Sequence, residues 1–113
     1  MAISNPIESY ETVQIWSKGL TEQWGGDPLT EDTGKLEALS AFCDYMDKNP
    51  DELYAFCFLR KRDTGERFAS KKRREELTQK VFEFINQAGL SGVEKRRLRS
   101  SVYSFFTHNG VLV

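Results

Sequence analysis

Four cations crowd the stretch Lys95-Arg96-Arg97-Leu98-Arg99, and no acid follows Glu94 to the end of the chain. At helical spacing Arg96, Arg99, Ser100, Tyr103 and Thr107 share the face opposite an apolar stripe of Leu98, Val102, Phe105 and Phe106. A solvated helix face normally mixes both signs of charge, so this one predicts an anionic partner, nucleic acid being the commonest. Two further clusters carry the same sign: Arg60-Lys61-Arg62 and Lys71-Lys72-Arg73-Arg74. Lys and Arg neutralise phosphates, and Ser100, Tyr103 and Thr107 add short hydroxyl contacts to phosphates or base edges. The predicted DNA-contacting set is therefore Arg60, Arg62, Lys71, Lys72, Arg73, Arg74, Lys95, Arg96, Arg97, Arg99, Ser100 and Tyr103.

Signatures of other chemistry are missing from the sequence. The chain has no G-x-x-x-x-G-K, G-x-G-x-x-G or H-E-x-x-H run, and its single His108 cannot build a His-based metal cluster. Cys43 and Cys57 lack Cys-x-x-Cys spacing and read as reduced core thiols. Candidate Ser, Cys and Lys nucleophiles have no convincing base, and Asp44, Asp47, Asp51 and Glu52 read as solvated or helix-start acids. No catalytic residue, cofactor or metal is expected.

The elements that must carry these residues are helical. Ser91 with Glu94 forms a capping box, and Asn109-Gly110 is a stop signal, so a final helix is expected between them. Ile7, Tyr10, Val13 and Trp16 predict a short helix over about 8 to 18 ending at Gly19. Trp24-Gly25-Gly26-Asp27-Pro28 predicts a loop with Trp24 pinned onto the domain. Thr30 or Asp32 caps the next helix, whose stripe is Leu36, Leu39, Phe42, Cys43 and Met46. Asn49-Pro50-Asp51-Glu52 starts another, with Leu53, Phe56, Cys57 and Leu59 inward, running into Arg60-Lys61-Arg62 and stopping near Thr64-Gly65. A fourth segment over about 67 to 88 turns Leu77, Val81, Phe84, Ile85 and Ala88 to the core. Its opening places four cations where the helix dipole disfavours them, a local penalty of the kind that marks function. No segment alternates long enough to predict a strand. The fold class is all-α: four main helices with an additional N-terminal helix or arm over 1 to 29.

The 113 residues make one domain, 39% hydrophobic and 29% charged, with no apolar run approaching a membrane span and no secretory signal at the start. A cytoplasmic protein is expected. Net charge is only −1, yet residues 1 to 59 hold 3 Lys/Arg against 11 Asp/Glu, a net −8, while residues 60 to 113 hold 13 against 6, a net +7. Screening confines charge effects to about 10 Å, so a ligand feels the local excess and not the total. The sequence thus predicts that the cations from Arg60 onward gather on one concave surface, with the two helix openings presented to one duplex groove.

The final helix also resembles a family. Gly89-Leu90-Ser91, Lys95-Arg96-Arg97-Leu98, Val102-Tyr103-Ser104-Phe105-Phe106 and Asn109-Gly110-Val111-Leu112 are similar to the end of the N-terminal core-binding domain of tyrosine recombinases, the phage-integrase family. Leu36 to Met46 and Asn49-Pro50-Asp51-Glu52-Leu53 look like its first and second helices, so the resemblance spans about residues 30 to 113. Tyr103 stands where the family often has a basic residue, and Arg99 stands where it usually has an apolar one. The resemblance implies a SAM-like bundle forming one jaw of a clamp around double-stranded DNA, with protomers assembled on that DNA. It implies that the family's catalytic Arg, Lys, His and Tyr belong to a domain beyond Val113, so that this is a piece of a longer recombinase. Tyr10, Tyr45, Tyr54 and Tyr103 then read as core or surface tyrosines. Two alternatives remain open: a helical protein-interaction module joining acidic to basic halves, and a single-stranded nucleic-acid binder that stacks bases on Tyr103 and Trp24.

Overall fold

The computed structural model describes residues 5–87 and 89–111; Ala88 of the fourth apolar stripe and Leu112 of the closing motif lie outside them. Among the described residues the chain is mostly helical, with one small hairpin. A 3-10 turn at Ile7–Ser9 leads into α1 (Glu11–Trp24), then α2 (Pro28–Glu31), α3 (Gly34–Met46) and α4 (Pro50–Phe56). Strands β1 (Phe58–Arg60) and β2 (Arg67–Ala69) follow, then α5 (Lys71–Ile85) and α6 (Gly92–His108). No helix among the described residues is long and apolar enough to cross a membrane.

Where the sequence carries strong local signals, the helices form as expected. Asn49 accepts from the Glu52 amide at 2.8 Å while the Glu52 carboxylate accepts from the Asn49 amide at 3.0 Å, a complete capping box with Pro50 at the first helical position. Leu39, Phe42 and Cys43 are fully buried on α3, with Leu36 and Met46 packed at the edge. In α6, Ser91 accepts from the Glu94 amide at 3.1 Å, and Val102, Phe105 and Phe106 are fully buried.

Other expectations are corrected. The N-terminal helix does not stop at Gly19 but runs on to Trp24. Gly19 is needed because α1 meets α6 there: a Cβ at this position would collide with the imidazole of His108. Residues 10 to 29 are no loose arm either, since Tyr10, Val13, Trp16, Leu20 and Leu29 join the same core cluster as Phe42, Leu77 and Phe105. Trp16 sits edge-on to Phe105 at 5.6 Å, and its indole Nε1 donates to Ser104 Oγ at 3.0 Å. Trp24 is not pinned onto the domain: it is 73% exposed. Neither Thr30 nor Asp32 is the residue before α3; Thr30 falls in the short α2, and Asp32 accepts from the Gly34 amide at 3.1 Å across the turn.

The helical run into Arg60-Lys61-Arg62 does not form, and Leu59, expected inward, lies in a strand and is 39% exposed. At Phe56 the chain turns into a hairpin instead, with the register Phe58 opposite Ala69, Leu59 opposite Phe68 and Arg60 opposite Arg67. Its turn is closed by Gly65 N donating to Lys61 O at 2.8 Å and Lys61 N to Glu66 O at 2.9 Å, with Gly65 at φ 70°, a conformation glycine adopts at little cost. The fourth segment consequently divides into β2 and α5, with Ser70 between them accepting from the Arg73 amide at 3.2 Å.

Thr12 ties three helices together. Its amide and hydroxyl both donate to Asp51 Oδ1, at 3.1 and 2.6 Å, and its carbonyl accepts from Asn109 Nδ2 at 3.0 Å. Asp51 lies in the first turn of α4 while serving the first turn of α1, so its carboxylate answers an open amide of a helix other than its own. Replacing Asp51 with alanine strands the buried Thr12 donors. The expected loss is about 2 kcal/mol by urea unfolding, with Asp51→Asn losing less; a loss under about 0.5 kcal/mol would show the link to be idle.

Candidate nucleic-acid interface

The first basic zone is built by the hairpin and the opening of α5. Arg60 and Arg67 face one another across the ladder, a like-charge pair that disfavours the strand pairing. Each finds a local partner that is not an acid: Arg60 Nη1 donates to Gly65 O at 3.0 Å, while the Arg67 guanidinium lies 4.4 Å over the Phe58 ring and 5.6 Å over Tyr54. Arg67 is outside the set expected from the sequence, because a lone Arg away from a charge run gives no signal. Arg62 sits exposed in the turn.

Ser70 N donates to Cys57 O at 2.8 Å, fixing the start of α5 against the end of α4. With α5 starting at Lys71, all four cations Lys71, Lys72, Arg73 and Arg74 do occupy its opening turn, which holds no acid. Lys71 and Lys72 are exposed, and the ion pair of Lys71 with Glu75 at 4.0 Å is too open to solvent to offset much. The half-buried Arg73 stacks 4.7 Å over Phe56, whose ring also carries Lys48 Nζ at 5.7 Å, so one ring supports two cations. Arg74 donates to Ser70 O at 3.4 Å and lies close enough to Cys57 to pull its thiol pKa down, against the larger effect of burial, which pushes it up to about 11. Burial, helped by Asp44 and Glu52, pushes Cys43 up to about 12. Both thiols stay protonated, as structural cysteines do.

The second zone is the opening of α6. Lys95 Nζ donates to Asn86 Oδ1 at 3.3 Å, which seats the start of α6 beside the closing residue of α5. Arg96, Arg97 and Ser100 are exposed and line a cleft against Lys35 and Ala38 of α3. Arg99 lies 5.3 Å over the half-buried ring of Tyr103, so that hydroxyl-bearing face is held by a cation. Lys35, absent from the expected set, joins this zone only through the packing of α3 on α6.

The two helix openings therefore stand at opposite ends of α5. Lys72 and Asn86 are 14 residues apart on its axis, about 21 Å at the helical rise. The zones are therefore two separate patches, about a helix length apart. Among the described residues, ion pairs join Lys35 to Asp32, Lys61 to Glu66, Lys71 to Glu75 and Lys80 to Glu83, and none involves Arg62, Lys72, Arg96 or Arg97. Among the described residues no group of His, Cys, Asp or Glu is placed to hold a metal ion.

No family model, curated protein or solved structure matches the chain.

Proposed function

We propose that this chain is a duplex-DNA-binding domain, a SAM-like core-binding bundle of a tyrosine recombinase that clamps DNA together with a catalytic domain carried by the rest of that protein. In that reading this jaw performs no chemistry, and protomers assemble on the DNA. The observation that carries it is the basic surface: exposed cations at both ends of α5, of which Lys72, Arg96 and Arg97 have no ion pair among the described residues and Lys71 only a solvent-open one, with one end breaking the dipole preference of its own helix. Nothing in the packing requires Lys71 and Lys72 where they are, so a partner outside the chain explains them better than the fold does. The exposed hydroxyl of Ser100 adds a neutral donor beside the second zone. The recombinase assignment itself rests on the resemblance of residues 30 to 113.

Titrating fluorescent duplex DNA with the protein across a salt series tests the binding. Affinity is expected to fall roughly 10²-fold or more between about 50 and 200 mM salt, the slope of a protein that neutralises several phosphates. A folded protein that binds no duplex at low salt would refute the reading. Salt-sensitive self-association combined with indifference to DNA would favour the protein-interaction alternative.

A further inference from the structure

The outer face of α6 borders a feature that duplex binding leaves unused. Two clefts, of about 510 and 290 Å³, share Lys35, Ser100 and Ser101 and run together into one groove between α6, the opening of α3 and the end of α1. Arg96 and Arg97 stand at one end and Trp24 at the other. From Arg96 to Ser104 the groove follows α6 for about 12 Å by helical rise, the length of a few extended nucleotides.

Its chemistry is lopsided towards donors. Ser104 Oγ already accepts from the Trp16 indole at 3.0 Å, leaving its own proton to give to a ligand. Asp32 also lines the groove, but its carboxylate is engaged by the Gly34 amide at 3.1 Å and by Lys35 Nζ at 3.4 Å. Trp24, 73% exposed, is the last residue of α1, and Gly25 and Gly26 at φ 76° and 64° turn the backbone away directly behind it. The indole face is thus left open beside a row of hydroxyls and cations.

We propose that this groove binds a short run of single-stranded nucleic acid, with one base stacked on Trp24 and the phosphates following Ser104, Ser100 and Lys35 towards Arg96 and Arg97. Stacking on an aromatic side chain beside a cationic track is how unpaired strands are held without sequence preference. A base inside a duplex has both faces covered by its neighbours, so Trp24 serves only an unpaired base, whereas Arg96 and Arg97 serve phosphates of either kind. The inference goes beyond the duplex reading and stands independently of it.

Tryptophan emission separates the two. Trp16 is fully buried but donates to Ser104 in the groove, so quenching by an added strand is assigned to Trp24 by its loss in a Trp24→Ala variant. The full chain is titrated with oligodeoxyuridylate, with oligouridylate and with a duplex of equal length, alongside the Trp24→Ala variant, whose exposed position spares the fold. Either single strand is expected to quench the parent protein, a preference between them naming the sugar. Trp24→Ala is expected to weaken single-strand binding about tenfold, measured by anisotropy, and to leave duplex affinity within about twofold. Absence of quenching by both strands, or a Trp24→Ala variant that binds them as tightly as the parent, would overturn the proposal. Duplex binding alone would leave the duplex reading standing without this one, and single-strand binding alone would do the reverse.

Discussion

Truncating Trp16 to alanine is expected to cost roughly 3–5 kcal/mol, the range for removing a buried large aromatic side chain. The side chain is fully buried, packs edge-on to Phe105 and donates to Ser104, so its loss opens a cavity and removes the packing that seats α1 on α6. Against a typical domain stability of about 5–15 kcal/mol, this lowers the midpoint of thermal unfolding by about 10 to 20 °C or leaves the chain unfolded. Trp24→Ala is the matched control. It removes the same atoms from a 73% exposed position, and surface changes of this kind stay within about 0.5 kcal/mol. Equal effects at the two positions in calorimetry would mean that α1 is not part of the core.

The second large effect concerns charge. Replacing Lys71, Lys72, Arg96 and Arg97 with glutamine removes two exposed cations from each end of α5 without touching the buried cluster. For every phosphate that is no longer neutralised, binding releases one fewer counterion, a factor of about ten in affinity near 0.1 M salt. The four substitutions together should therefore weaken duplex binding on the order of 10³ to 10⁴-fold and flatten the salt slope. Stability should hold or rise slightly, because two of the four oppose the α5 dipole by a few tenths of a kcal/mol each. The two pairs tested separately show whether both zones touch one duplex: each should then lose about 10²-fold. A quadruple variant that binds within about threefold of the parent would remove the basis of the proposed function.

How far these features could be seen in the sequence depends on whether their cause is local. The α4 capping box and the α3 stripe are written within a few residues, and the structure forms both. Strands of three residues are too short to show alternation, so in the sequence Phe58–Arg60 and Arg67–Ala69 look like ends of the adjoining helices. Gly19 looks like a terminator because its local propensity is poor, whereas its position against His108 is decided by a residue 89 places later. At the candidate interface the identity of the cations is legible and their arrangement is not. Only the seating of Lys95 on Asn86 reveals that the two helix openings are a full helix length apart, and only the docking of α3 brings Lys35 to Arg96.

The three-way junction at Thr12 makes one backbone proton a sentinel for distant parts of the chain. Its amide is held by Asp51, 39 residues away, so deuterium enters there only when α1 parts from α4. The neighbouring amide of Val13 is held within its own segment, by Tyr10 O. A destabilising change in α4 should therefore speed isotope uptake at Thr12 before it does so at Val13, and the order of the two reports which opening, regional or global, the protein undergoes first.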